Sequence, residues 1–322
     1  MLPRFPVIVG PTAGGKSTLA VRLSQRLSEL GMPPGEVIAA DSMQVFRGMD
    51  IGTAKPTVAE RAGVAHHLID LVDPSESFSV DRWLKLAEPL IDDLRARGRT
   101  PIVVGGTHFY VKALLEGLFE GPQADPALRA AMAARPPAEL RAELERADPA
   151  AAARIHPNDS RRTVRALEVL RLTGRPISEH QEQWDRGRAR PDAVLVGLDW
   201  APADINRRIN ARVRDMEARG LVAEARGLWE AGRLGPQARE ALGYKQLIEC
   251  FEGRVGAADA IERIKIETRR FAKNQRTWLR RLRTTPGGVW VPMAADRAEE
   301  SLQTAVSMAV ESLCPAGPPG NP

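Results

Sequence analysis

Residues able to do chemistry gather first between positions 10 and 17. Gly10-Pro11-Thr12-Ala13-Gly14-Gly15-Lys16-Ser17 follows the apolar run Val7-Ile8-Val9 and leads into Thr18-Leu19-Ala20-Val21-Arg22-Leu23. Strand, glycine-rich turn and helix start together fit the phosphate-binding pattern G-x-x-x-x-G-K-[ST]. Glycine lets successive backbone N–H groups turn into one concavity, and the helix start adds unpaired donors and the positive end of its dipole. Lys16 reaches outer phosphates, and Ser17 offers a hydroxyl to a Mg²⁺ that bridges them. The expected ligand is a di- or triphosphate, whatever molecule carries it. A second candidate, Asp41-Ser42-Met43-Gln44, follows Val37-Ile38-Ala39-Ala40. It falls at the carboxyl end of a strand, the edge where open α/β sheets bind ligands. If that strand lies parallel beside the first, Asp41 is close to the phosphate loop. Its carboxylate then serves as a general base, a helix cap or a ligand to Mg²⁺-bound water, and residue type leaves the three equal.

Further candidates are weaker. Pro101-Ile102-Val103-Val104 ends in Gly105-Gly106-Thr107, which brings backbone and a hydroxyl to the same sheet edge. That strand lacks the terminal aspartate with which nucleotide hydrolases hold Mg²⁺, and Asp199, after Val194-Leu195-Val196-Gly197-Leu198, is the one good substitute. Arg208 and Arg212 are four apart in a helical pattern, either a phosphate clamp or a solvated face. His66-His67 has no third ligand nearby, and adjacent side chains diverge, so both read as structural.

These groups need a frame. Leu19, Leu23, Leu27 and Leu30 recur at helical spacing after the loop, and 80–97 repeats the pattern with Trp83, Leu84, Ala87, Leu90, Ile91 and Leu94. The segment 46–56, with Gly48, Gly52 and Lys55, reads as a functional loop. From 118 to 192 strand signals vanish and short helical patterns alternate with prolines. Asn158-Asp159-Ser160 caps a helix that carries Arg161, Arg162 and Arg165 near its start, against the dipole. Those arginines are either solvated or facing an anion.

The expected fold class is α/β: a P-loop NTPase-like parallel sheet flanked by helices, with an inserted all-helical domain. The core occupies 1–118 and 193–296, the insertion 119–192, and a C-terminal helix with a disordered tail 297–322.

Composition narrows the setting. The chain has 322 residues, 43% hydrophobic and 27% charged, as soluble globular proteins do. No apolar stretch is long enough to span a bilayer, and the first strand begins too near Met1 for a signal peptide. Cys250 and Cys314 support neither a disulfide framework nor a zinc site. The expected compartment is the cytoplasm. Net charge is +5, yet residues 265–283 hold eight basic side chains against the single acid Glu267. So concentrated a stripe, interleaved with Phe271 and Trp278, suits a polyanionic partner.

Taken together the chain resembles the tRNA dimethylallyltransferases, also called tRNA isopentenyltransferases, of bacterial type. The matching segments are the phosphate loop, Asp41-Ser42-x-Gln44, Gly48-Met-Asp-Ile-Gly-Thr-Ala-Lys55, Gly105-Gly-Thr107 and Ala124-Asp-Pro-x-x-Arg129. Beyond these come Arg154-Ile-His-Pro-Asn-Asp159, Arg165-Ala-Leu-Glu168, Gly243-Tyr244 and Lys273-x-Gln-x-Thr-Trp-Leu-Arg280, in family order from residue 10 to about 290. Gly14 replaces a usual Ser and Phe46 a usual Tyr, and no segment matches the zinc finger of eukaryotic members.

The resemblance implies transfer of a dimethylallyl group from its diphosphate to N6 of the adenosine 3′ of the anticodon, with Mg²⁺ as cofactor. By that match Asp41 is the general base, while Thr12, Lys16, Ser17 and Arg212 act on the donor, and the loop 10–17 with Arg212 grips the diphosphate. tRNA would be met by Asp41-Ser42-Met43-Gln44, Thr107, Arg129, Arg161-Arg162-Thr163-Val164-Arg165, Glu240-Ala241-Leu242-Gly243-Tyr244-Lys245 and Lys273-Asn274-Gln275-Arg276-Thr277-Trp278-Leu279-Arg280. A monomer suffices for this chemistry. The rival readings are a small-molecule or nucleoside kinase using the same loop on ATP, and a non-catalytic RNA-binding ATPase module.

Overall fold

The structure is a computed structural model that describes residues 4–118, 121–180 and 190–313. The expected disordered tail and Cys314 lie outside the described residues. In chain order the elements are β1 (Phe5–Val9), α1 (Lys16–Glu29), β2 (Gly35–Ala39), α2 (Val58–Arg61), β3 (His66–His67), α3 (Val80–Ala96), β4 (Thr100–Gly105) and α4 (His108–Glu116). The helices α5 (Pro126–Ala133), α6 (Pro137–Ala147), α7 (Pro149–Arg154) and α8 (Ser160–Thr173) follow. Then come β5 (Ala193–Trp200), α9 (Pro202–Ala218), α10 (Leu221–Glu230), α11 (Tyr244–Phe251), α12 (Ala257–Leu282), β6 (Val289–Met293) and α13 (Ala298–Leu313).

The chain divides into two compact units, Met1–Leu115 with Arg190–Pro322, and Glu116–Ala189. The first is built on a six-stranded sheet in the order β3-β2-β4-β1-β5-β6. Every pairing is parallel. A parallel sheet is covered on both faces, which is why its strands read as nearly continuous apolar runs. Along β1, Phe5, Val7 and Val9 enter one core with α3, α4 and α10 to α12, while Ile8 enters the other with α1 and α13.

The order corrects one expectation: β2 is not the neighbour of β1, because β4 lies between them. The two strands still deliver their loops to one edge. A methyl group on Gly105 would fall 2.3 Å from the Ala40 carbonyl oxygen, so only a glycine lets β4 close against the end of β2.

In the second unit Met132, Leu140, Leu144, Ala166, Leu167 and Val169 form a small core. Asp125, Asp148 and Asp159 cap three of its helices through their side chains. Glu168, fully buried, binds Arg129 through both oxygens, at 2.8 Å each, and Arg165 at 2.5 Å. It also accepts the Asp125 N–H at 2.9 Å. Burial alone would raise the pKa of this carboxyl, but these donors overcome it and bring it down to about 2.

Candidate active site

The phosphate loop leaves β1 and enters α1 through Gly15, whose φ of 89° lies in the left-handed region. No side chain caps this helix start, in contrast with α5, α7 and α8 of the second unit. Its amides therefore stay available to an incoming anion. Gly14 donates its N–H to the Pro11 carbonyl at 3.1 Å, and Lys16 Nζ donates to the same oxygen at 2.9 Å. Trp200 Nε1 binds the Gly14 carbonyl at 3.0 Å, and Arg208 Nε binds that of Ala13 at 2.8 Å with its guanidinium over the Trp200 ring. The two carbonyls turned out of the loop are thus held by a neighbouring strand and helix.

Two cavities adjoin at this edge. The larger, about 690 Å³, is lined by residues 12–17 with Arg22, Arg208, Arg212 and Arg219. The smaller, about 320 Å³, has an apolar wall that includes Ile209, Val213, Met216, Leu221, Ile264 and Phe271. Thr12, Lys16, Asp41, Thr53, Ala54, Gly106, Arg212 and Met216 line both, and so mark where the cavities meet. Gly10 and Pro11 line neither; they shape the turn.

Asp41 sits in a turn rather than at a helix start. Its Oδ1 accepts the N–H groups of Met43 at 2.8 Å and Gln44 at 3.2 Å, which fixes the carboxylate at the junction. Thr107 Oγ1 accepts the Ser42 N–H at 3.1 Å and so ties the end of β4 to this turn. Gln44 Nε2 donates to the carbonyls of Thr53 and Ala54, at 3.3 Å each. Burial brings Lys16 down to about 8; the Arg212 charge acts the same way, and Asp41 opposes both. Arg212 is likewise lowered by burial, against Asp41 and Glu60. A site in which burial lowers two neighbouring cations in spite of Asp41 and Glu60 is poised for a further anion.

Among the described residues no cluster of three His, Cys, Asp or Glu side chains is arranged to hold a metal. A Mg²⁺ bound with a phosphate would find in this cavity the Ser17 hydroxyl as a protein ligand. Asp199 supplies nothing to such a site: it pairs with Arg283 and lines neither cavity. That corrects its reading as a substitute for the missing strand-end aspartate. His66 and His67 bond to the Val64 carbonyl and to Glu36.

This geometry has relatives. The IPP transferase family model matches residues 44–282. The chain belongs to the IPP transferase family. It is 46% identical over 288 residues to a tRNA dimethylallyltransferase of Geobacillus thermodenitrificans, covering 87% of this chain and 88% of that one. It is 47% identical over 294 residues to one of Anaeromyxobacter dehalogenans, covering 89% and 94%. Among solved structures it is similar to a tRNA isopentenylpyrophosphate transferase of Bacillus halodurans, with a TM-score of 0.70, 39% identity and 97% of both chains covered. A eukaryotic dimethylallyltransferase acting on tRNA gives 0.80 at 30% identity, covering 97% of this chain and 80% of that one.

Within the IPP transferase frame, the residues expected to meet RNA divide by exposure. Arg161, Arg162, Lys245, Lys273, Asn274, Thr277 and Arg280 are exposed, while Val164, Arg276 and Trp278 are half-buried. Leu242, Glu240 and Gly243 line the apolar cavity. Three, Tyr244, Thr163 and Leu279, are buried and line neither cavity, which corrects their reading as RNA contacts. Tyr244 is 0% exposed, while Ala241, also buried, lines the apolar cavity with Glu240, Leu242 and Gly243. Gln275, 4% exposed, accepts the Thr12 N–H at 2.8 Å and donates to the Gly106 carbonyl at 2.9 Å, bracing the phosphate loop against the end of β4. Arg129, exposed, and Arg165, half-buried, hold Glu168 and keep part of their surface open.

Sequence reading took 46–56 as a functional loop without singling out Thr53 and Ala54, and set Phe271 in the basic stripe, not in a cavity wall. For the last a signal existed: Ile264, Thr268, Phe271 and Gln275 are spaced 4, 3 and 4 apart, one stripe of α12, and all four line the apolar cavity.

Proposed function

We propose that this chain transfers a dimethylallyl group from dimethylallyl diphosphate to N6 of the adenosine 3′-adjacent to the anticodon in tRNA, releasing diphosphate. One observation carries the reading: a cationic cavity opens into an apolar one, with Lys16, Arg212 and Asp41 where they meet. A prenyl diphosphate has that same composition, an anion joined to a hydrocarbon. A kinase would instead place a polar acceptor against Val213, Met216 and Leu221.

In the proposed reaction the bond between C1 of the prenyl group and the diphosphate oxygen breaks as C1 bonds to N6. The electron pair of the broken bond leaves on the diphosphate, and the proton of the amine passes to Asp41. Loop amides, Lys16 and Arg212 stabilise the departing charge. An amine conjugated to adenine is a poor nucleophile, so a fixed base and close approach both matter. The apolar wall keeps water from the electrophilic carbon. Mg²⁺ is the proposed cofactor: Ser17 would hold it, and it would supply positive charge at the leaving group. The target base leaves its stack to reach the junction. Arg161, Arg162, Lys273, Arg276 and Arg280 supply contacts to RNA phosphates. The proposed setting is the cytoplasm, and the proposed acting form is a monomer.

The test is incubation with labelled dimethylallyl diphosphate, Mg²⁺ and a tRNA that carries adenosines 3′ of the anticodon. Label in the RNA is the expected result. Unlabelled RNA under all conditions would remove the proposal, and phosphate transfer from ATP would favour a kinase.

A further inference from the structure

Glu224, in the first turns of α10, is far from the phosphate loop in sequence and belongs to none of the motifs described above. Four donors converge on its carboxylate. Oε2 accepts the backbone N–H groups of Asp50 at 3.0 Å and Ile51 at 2.8 Å. Oε1 accepts the Gly52 N–H at 3.0 Å and the Tyr244 hydroxyl at 2.5 Å. The loop is also gripped by shape. A methyl group on Gly52 would lie 2.4 Å from the Tyr244 ring, so glycine lets the ring seat on the backbone.

On its other flank the loop is held by Lys55, which is buried and donates to the Phe46 carbonyl at 2.9 Å, to Asp50 at 2.6 Å and to Asp70. Between these two anchors Thr53 and Ala54 line both cavities at their junction. Ala54 has a φ of 51°, in the left-handed region that side-chain-bearing residues avoid. Such a conformation persists only where surrounding contacts over-determine it. The loop makes its wall in a shape it would not hold unaided.

We infer that Glu224 is a positioning residue for the transfer step, holding residues 50–54 in the one conformation that walls the junction where the donor carbon meets the amine. The inference rests on the proposed function and adds to it a residue that touches neither substrate. Because Glu224 acts on the junction and not on the phosphate loop, its loss affects turnover more than diphosphate binding. A displacement of about an ångström there costs about a hundredfold in rate.

The experiment uses the full chain with Glu224→Gln, which keeps the shape but turns an N–H₂ toward donors that need an acceptor. A second variant, Tyr244→Phe, removes one donor and leaves the ring. Expected for Glu224→Gln is a kcat about 10- to 100-fold lower. Its Kd for inorganic diphosphate stays within about twofold of wild type, and amide exchange at 50–54 is about tenfold faster. Tyr244→Phe should move kcat and exchange the same way by about threefold. The double variant should be no slower than Glu224→Gln, since the hydroxyl acts through the carboxylate. A folded Glu224→Gln protein with wild-type kcat overturns the inference, as does a fall in diphosphate affinity equal to the fall in kcat. If that variant does not fold, Tyr244→Phe decides, and unchanged kcat and exchange overturn it. Wild-type protein that transfers no prenyl group strikes the proposed function instead, and the exchange rates then still report on the anchor.

Discussion

Two lysines in this unit occupy opposite situations. Lys55, buried, has an oxygen for each of its three N–H donors, two of them on carboxylates. Lys16 donates to the Pro11 carbonyl, and burial and then the Arg212 charge pull it down to about 8 against the charge of Asp41. A buried cation with its anions in place is a fastening. One whose environment works against its charge is waiting for an anion from outside. The contrast separates a loop that is finished on folding from one that is completed by its ligand.

The sharpest way to break this contrast is to remove each charge. Lys16→Met should lower kcat/KM for the diphosphate donor by about a thousandfold or more. Its unfolding midpoint in urea should hold or rise, because no internal ion pair is lost. Loss of stability with retained activity would put Lys16 among the fasteners. Asp41→Ala belongs with Lys16: turnover should fall by about two to four orders of magnitude while tRNA affinity, read by filter binding, is kept. An equal loss of both would make its turn structural.

Lys55→Met should do the converse. It strands Asp50 and Asp70, both partly exposed, and should cost about 1–3 kcal/mol in urea unfolding. Glu168 sharpens the rule in the second unit, where a buried anion has its cations. Its carboxyl titrates near 4.5 when unfolded and is held at about 2 when folded. Its contribution, up to about 3 kcal/mol, is therefore present above pH 4.5 and is lost as pH falls from there toward 2. Urea unfolding of wild type and Glu168→Gln should converge across that window; a pH-independent gap would show that packing, not charge, is at work. The smallest effect is expected on the basic stripe, where Arg276 is half-buried and Arg280 exposed. Arg276→Gln with Arg280→Gln should weaken tRNA binding by about tenfold and flatten its salt dependence, with an unchanged slope placing the RNA elsewhere.

Much of the frame was legible because its signals are local. The loop at 10–17, the apolar runs of β1, β4 and β5, and the uncapped entry to α1 follow from neighbouring residues alone. Strand order did not, since whether β2 pairs with β1 or β4 depends on close approach at Gly105 and Ala40, 65 positions apart in the chain. Tyr244 shows a second limit. The family resemblance makes it a recognition residue, yet its ring is spoken for by Gly52 and its hydroxyl by Glu224. Asp199 failed for a related reason: a strand-end acid is informative only when its side chain turns toward the site, and this one turns to Arg283. Glu224 had no signal, because its partners are backbone amides, which every residue except proline carries.

The bare Cα of Gly105 has a consequence for how such an enzyme could change. With no room for even a methyl group between the ends of β2 and β4, the width of the sheet edge is closed to mutational drift. Val213, Met216 and Leu221, by contrast, present interchangeable hydrocarbon to the smaller cavity. Descendants adapted to a bulkier donor would carry their substitutions on those helices, while the strand tips kept their spacing.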